Sequence, residues 1–253
     1  MESGSSDRTQ GPAPSRFEPG DAASLAVARA HVLERIEDAC RSAGRSPDEV
    51  RLVAVSKTVP VERLRAALAA GLTTLGENRV QEGAAKADAL PGATWHLIGP
   101  LQSNKARRAV EVFSWIQTLD GADLASRLDR VAGELRPGRP LPVLLQVNVD
   151  ADPAKAGFAP VDLAAALPGI LALPNLAVEG LMTVGRLVDD PSAARPTFVA
   201  LRGLSEELRR TNRSLGAELS MGMSDDFEVA IGEGATIVRI GRALFGARPD
   251  HGG

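Results

Sequence analysis

From Arg51 onward, short runs of β-branched and aliphatic residues alternate with longer Ala/Leu-rich stretches of helical periodicity. The runs predict strands over 52–56, 73–76, 95–99, 115–119, 142–148, 177–183, 218–220 and 236–240. Helical patterns fill 60–70, 78–89, 103–111, 121–135, 160–171, 192–214, 225–232 and 242–246. Alternating units of this kind imply a parallel sheet. Eight of them in about 200 residues fit a closed (β/α)8 TIM barrel. An open, doubly wound sheet is the competing architecture, but no G-x-G-x-x-G follows the first strand to favour it. Ahead of the barrel, Leu25, Val32, Leu33 and Ile36 mark an extra N-terminal helix over 21–43, ending near Gly44.

Residues 1–20 are rich in Ser, Gly and Pro and poor in large apolar side chains, so they read as a disordered leader; 251–253 read as a frayed tail. One domain over 21–250 remains. The apolar stretch 163–184 imitates a membrane span, but Pro168, Gly169, Pro174, Asn175 and Glu179 break it into two soluble elements. The net charge of −3 gives no electrostatic reason to expect nucleic acid. Cys40 is alone, so no internal disulfide can form, and no secretory pattern opens the chain; the expected location is cytoplasmic. No long apolar surface stripe is evident, and a monomer is expected.

In a barrel the chemistry lies at the carboxyl ends of the strands. Lys57 ends the first, in Leu-Val-Ala-Val-Ser-Lys. Apolar flanks disfavour its charged form, and a neutral amine attacks aldehydes and ketones. Taken alone, such a lysine is more often a solvated strand-end cation, and position does not decide between the two. Strand seven runs into Leu-Ser-Met-Gly-Met-Ser-Asp-Asp (219–226), and strand eight ends Val-Arg-Ile-Gly-Arg (238–242). Small residues Ser220, Gly222, Ser224 and Gly241 let backbone amides approach an anion there, as barrels do with phosphate. Plain capping, with Asp225 as N-cap and Glu228 three residues on, is the structural alternative. Arg239 alternates with Val238 and Ile240; if those face the helices, it points inward and needs a partner. Asn78 lies just past strand two, beside a ligand or as an N-cap with Gln81 at N3. A nucleophilic lysine, a phosphate cradle and an inward arginine suit pyridoxal 5′-phosphate. A Schiff-base aldolase acting on a phosphorylated sugar needs much the same parts.

The segments Ala-Val-Ser-Lys-Thr (54–58), Gly-Glu-Asn-Arg-Val-Gln-Glu (76–82), Trp-His-Leu-Ile-Gly-Pro-Leu-Gln-Ser-Asn-Lys (95–105), 219–226 and Val-Arg-Ile-Gly-Arg-Ala-Leu-Phe-Gly (238–246) resemble the pyridoxal phosphate homeostasis protein family. The resemblance runs in order over essentially the whole chain after the leader. It implies a single barrel like the N-terminal domain of alanine racemase, pyridoxal 5′-phosphate held as a Schiff base on Lys57, and a role in vitamer and amino-acid balance without established catalysis. It also implies that Arg239 faces the pyridine nitrogen, that Ser220, Met221, Gly222, Ser224, Gly241 and Arg242 surround the phosphate, and that Asn78 lies beside the ring. Many relatives carry Thr or Ser after the Arg-Ile-Gly triplet; here Arg242 retains the amide but not the hydroxyl.

The chain has no tyrosine, so the second base that alanine racemases present is missing, and Lys57 supplies one face of a substrate carbon at most. The sequence runs only a few residues past Phe245, so the further β domain of those enzymes is not expected. An arginine opposite the ring nitrogen stays protonated and keeps that nitrogen neutral, a poor electron sink. The expected function is to carry or buffer the cofactor and release it by transimination, with amino acids as small-molecule ligands and cofactor-dependent apoenzymes as recipients. A racemase or lyase of the alanine-racemase type is the enzymatic alternative. His31, His96 and His251 show no metal-ligand spacing with Cys40. His96, Trp95 and Trp115 are expected to pack; Gln102, Asn104 and Lys105 open a helix; Lys155, Gly157 and Phe158 suggest a loop over the site.

Overall fold

A computed structural model of the chain describes residues 22–185, 188 and 190–246. The leader and the tail lie outside these. A long helix, α1 (Ala22–Ser42), leads into β1 (Arg51–Val55). The units that follow are α2 (Val61–Ala69), β2 (Thr74–Glu77), α3 (Val80–Ala89), β3 (Thr94–Leu97), α4 (Ala106–Val112), β4 (Trp115–Leu119) and α5 (Ala122–Leu135). The second half comprises β5 (Leu141–Gln146), α6 (Pro160–Leu171), β6 (Leu176–Met182), α7 (Arg195–Thr211), β7 (Glu218–Ser220), α8 (Phe227–Gly232), β8 (Ile237–Ile240) and α9 (Arg242–Phe245). The strands close into a parallel barrel in sequence order, β8 pairing with β1. The (β/α)8 expectation is borne out, extra helix included.

Strand alternation divides the apolar residues between two cores. Val53, Leu144, Met182 and Ile237 form a small buried cluster joined by Trp115 and Val184. Residues next to them along the strands, such as Ala54, Val143, Leu181 and Val238, belong to the larger core shared with the helices. This is the inward/outward alternation a closed sheet requires. Pairing of Val53 with Arg239 places that arginine in the inward set, while Val238 and Ile240 join the outer core.

Several boundaries differ from the periodicity by a residue or two, each for a local reason. α3 begins at Val80 rather than 78, because Arg79 is still extended (φ −127°, ψ 130°) and occupies the cap position. The 103–111 pattern opens with a 3-10 turn, Ser103–Lys105, before α4. The 192–214 pattern likewise opens with a 3-10 turn, Pro191–Ala194, and α7 ends at Thr211. The segment after β5 is stitched back onto its strand: Phe158 N–H donates to the Gln146 carbonyl (2.8 Å), and Asn148 N–H to the Phe158 carbonyl (2.9 Å).

α1 lies against α2, α8 and α9. Arg35 pairs with Glu228 and stacks 4.5 Å over the Phe227 ring. Arg45 donates to the Ile231 and Ala235 carbonyls, both at 2.9 Å, satisfying acceptors at the end of α8. The extra helix therefore braces the units that carry the loops after β7 and β8. Among the described residues no helix is long and apolar enough to cross a membrane.

Candidate functional site

Lys57 stands two residues beyond β1, half-buried, on the parity of inward-facing Val53. Thr58 follows at φ +65°, a left-handed conformation that is uncommon for a β-branched residue. A tight bend results, closed by Val59 N–H donating to the Ser56 carbonyl at 3.0 Å.

On the neighbouring side of the barrel mouth, the β7–α8 loop turns at Gly222, which has φ +91°. A Cβ there would come 2.6 Å from the Ala230 Cβ and 2.9 Å from the Phe227 Cα, so only glycine lets the loop lie against α8. The Ser224 hydroxyl accepts from the amides of Gly241 (3.3 Å) and Ala243 (3.4 Å), tying this loop to the start of α9. Asp226 Oδ1 accepts from Met223 N–H at 2.6 Å and fixes the loop from below. Among the described residues no acceptor takes the amides of Gly222, Ser224 or Arg242. The strand-end loops thus carry N–H groups that no described residue uses, the kind of donor that anions take up. Gly241 lies close against Val55 of β1, its notional Cβ 3.4 Å from the valine Cβ.

Other expected residues sit as follows. Asp225 is not the cap of α8: Asp226 holds that position, and Asp225 forms a surface ion pair with the exposed Arg242 guanidinium. Arg242 therefore offers the loop only its amide. Met221 is fully buried in the outer core, with its N–H donated to the Ile237 carbonyl (3.1 Å). Asn78 is not the cap of α3; its backbone presses on Gly99, where a Cβ would meet the Asn78 carbonyl oxygen at 2.3 Å.

Arg239 is buried, and burial lowers its pKa to about 10, with Asp226 opposing the shift; it remains a cation at neutral pH. Its guanidinium donates to the Thr183 carbonyl (2.8 Å) and to Ser220 Oγ (2.7 Å). Ser220 in turn donates to Gln117 Oε1 at 2.6 Å, and Gln117 Nε2 lies 2.9 Å from His96 Nδ1. An arginine only donates, so every proton in this chain runs one way and His96 Nδ1 must accept. The imidazole proton then sits on Nε2. Desolvation, with Arg51 adding to it, pushes the His96 pKa down to about 3, so the ring is neutral. The Ser220 hydroxyl is committed to this chain. Its contact is with Arg239, not with the amides of the loops.

Sequence reasoning overlooked Gln117, Thr183 and Asp226, and a polar cluster behind Lys57 formed by Ser56, Glu77, Glu82 and Lys86. A polar residue on the inward parity of a strand, as Gln117 is in Trp-Ile-Gln-Thr-Leu, was an available signal. Asp120, at the end of β4, was overlooked too; burial raises its carboxyl pKa. No group of three His, Cys, Asp or Glu suited to a metal occurs among the described residues.

Residues 28–249 match the family model described as alanine racemase, N-terminal domain. A pyridoxal phosphate homeostasis protein from Pseudomonas aeruginosa is 47% identical over 228 residues, covering 88% of this chain and 95% of that protein. One from Aquifex aeolicus is 44% identical over 219 residues, covering 86% and 95%. The solved structure of PipY from Synechococcus elongatus with PLP bound superposes with a TM-score of 0.76 at 44% identity, over 88% of this chain and 100% of that one. Alanine racemase of Clostridium difficile superposes at 0.69, with 14% identity over 90% of this chain and 58% of the enzyme, a likeness of fold alone.

Proposed function

The chain belongs to the pyridoxal phosphate homeostasis branch of the alanine racemase N-terminal domain family, and on that premise we propose that it binds pyridoxal 5′-phosphate and holds it in reserve. The observation that carries the reading is a coincidence of donors. Unused amides follow β7 and β8, and β8 pairs with β1, the strand that leads into Lys57. A phosphate monoester fits the amides of Gly222, Ser224 and Arg242, a fixed cation is available in Arg239, and a primary amine stands at the mouth.

When bound, the cofactor supplies an aldehyde that takes up primary amines. Lys57 presents such an amine. Ser224 ties the two loops together through the amides of Gly241 and Ala243. Arg239, kept cationic and braced by Ser220 and Thr183, favours an unprotonated pyridine nitrogen. That arrangement weakens electron withdrawal by the ring and supports retention over turnover. Free amino acids and recipient apoenzymes compete with Lys57 for the aldehyde, which makes release possible. We place the protein in the cytoplasm as a monomer without strong catalytic activity.

Borohydride reduction of the protein mixed with pyridoxal 5′-phosphate, followed by peptide mass mapping, tests the reading. The expected adduct is on Lys57, and the yellow colour is lost in Lys57→Ala. An unmodified Lys57 with the adduct elsewhere overturns it. Amino-acid turnover at enzyme-like rates by the loaded protein overturns the non-catalytic part.

A further inference from the structure

Behind the Lys57 bend, between the barrel and α3, lies a buried charge cluster that the proposed function does not use. Lys86 is 7% exposed and Glu77 fully buried. The Lys86 ammonium donates to Glu77 Oε1, Glu82 Oε1 and the Ser56 carbonyl, each at 2.7 Å, using its full set of three protons. Ser56 Oγ also donates to Glu77 Oε1 at 2.7 Å. Glu82 Oε1 accepts the Thr58 N–H at 2.8 Å. The second Glu77 oxygen is buried and has no hydrogen-bond partner among the described residues.

Such a cluster is a poor way to gain stability. Removing charges from water costs as much as their pairing returns, and well-packed apolar side chains do as well or better. Burial duly pushes the Glu77 carboxyl pKa up, against the pull of Lys86 and Ser56. What apolar side chains cannot do is grip backbone. This cluster grips two groups, the carbonyl immediately before Lys57 and the amide immediately after it. Between them lies Lys57, and at the second of them Thr58 turns at φ +65°, a conformation that costs a β-branched residue energy and persists only where surroundings enforce it. The grip runs through α3, so Lys57 is fixed to a helix as well as to its own strand.

We propose that Lys86, Glu82 and Glu77 are positioning residues for Lys57, clamping the peptide groups on both sides of it so that its amine is aimed into the barrel mouth before any ligand arrives. The proposal rests on Lys57 being the cofactor-holding amine. Misplacement of a reacting group by an ångström can cost up to about a hundredfold in rate. Loss of the clamp should therefore slow capture of the cofactor without emptying the site.

The test compares the whole protein with Lys86→Met, Lys86→Arg, Glu82→Ala and the double variant Glu77→Gln/Lys86→Met. The double variant removes both buried charges together and guards against simple unfolding. Glu82→Ala acts at the solvent edge, leaves the Lys86–Glu77 pair in place and frees the Thr58 amide together with one Lys86 proton. Three readouts are taken: urea stability, Thr58 amide hydrogen exchange in the cofactor-free protein, and the rate of colour formation with pyridoxal 5′-phosphate. The expected result is faster Thr58 exchange and capture slowed by about tenfold or more in Lys86→Met and in the double variant. Lys86→Arg should recover most of the rate, and the double variant should keep near-normal urea stability. Unchanged exchange and capture in the double variant and in Glu82→Ala overturn the proposal. So does slowing that merely tracks urea stability across the set. If the unaltered protein captures no cofactor at all, the reading of Lys57 falls first and this inference with it; normal capture throughout removes the inference alone.

Discussion

Acidification should weaken this fold at His96 in particular. His96 is 1% exposed on β3 and accepts a proton donor at Nδ1 from Gln117, so charging it means breaking into a buried chain that ends on Arg239. Its pKa is about 3 in the folded protein, against an ordinary value of 6.5. A histidine whose folded pKa is depressed contributes stability that is complete above pH 6.5 and drains away as pH falls toward 3, because the unfolded chain binds the proton first. At pH 5 the unfolded imidazole is almost wholly protonated and the folded one almost wholly neutral, a penalty of about 2 kcal/mol. That figure is insensitive to the folded pKa: raising it to about 4 changes the pH 5 result by less than about 0.1 kcal/mol. With a urea slope of about 2–3 kcal/mol/M, the unfolding midpoint should drop by about 0.7–1 M between pH 8 and pH 5 on account of His96 alone. The buried carboxylates Glu77 and Asp226 have raised pKa values and shift stability in the opposite sense, favouring the fold at low pH. The quantity to measure is therefore the difference between the protein and His96→Gln, whose amide can still accept from Gln117 but does not titrate. Urea melts at several pH values should converge in the two proteins at pH 5 relative to pH 8. Parallel pH profiles would refute both the buried neutral imidazole and the one-way hydrogen-bond chain.

Two further outcomes follow from the loop geometry. Gly222→Ala places a methyl 2.6 Å from Ala230 Cβ at a φ of +91°, and should cost about 2–4 kcal/mol in urea melts while Gly169→Ala, with open space around its Cβ, costs nothing or stabilises by about 0.5–1 kcal/mol. Ser224→Ala removes the acceptor that links the amides of Gly241 and Ala243; thermal melts should show a loss of about 1 kcal/mol, and equilibrium dialysis a weaker hold on inorganic phosphate and on pyridoxal 5′-phosphate alike.

The barrel was legible because its signal is repeated: each strand carries a short apolar run and each helix a 3.6-residue period, so single errors of a residue or two did not accumulate. Arg239 was legible for the same reason, since Val238 and Ile240 on the outer core fix its direction by parity alone. What stayed hidden were the partners. Ser220 reads as one more small residue in a phosphate-type loop, yet its hydroxyl is spoken for by Gln117 on β4 and Arg239 on β8, a relation set by barrel closure and not by spacing. Asp225 and Asp226 are adjacent carboxylates with equal capping propensity; helix geometry puts the second at the cap and sends the first to Arg242.

Lys86 shows the limit most clearly. In sequence it is an ordinary basic residue on an Ala-rich helix, four positions after Glu82, and such pairs normally lie in solvent and contribute little. Its burial depends on α3 lying over the end of β1, where Ser56 and Thr58 expose backbone groups that the sheet cannot satisfy once the chain bends at Lys57. A strand that leaves the barrel to present a side chain at its mouth must abandon ladder partners, and those partners have to be replaced. In this protein the replacement is ionic and comes from the next unit of the barrel. The same bend that exposes Lys57 thereby explains why Lys86 and Glu77 are buried where apolar side chains would otherwise pack, with Glu82 beside them at the solvent edge.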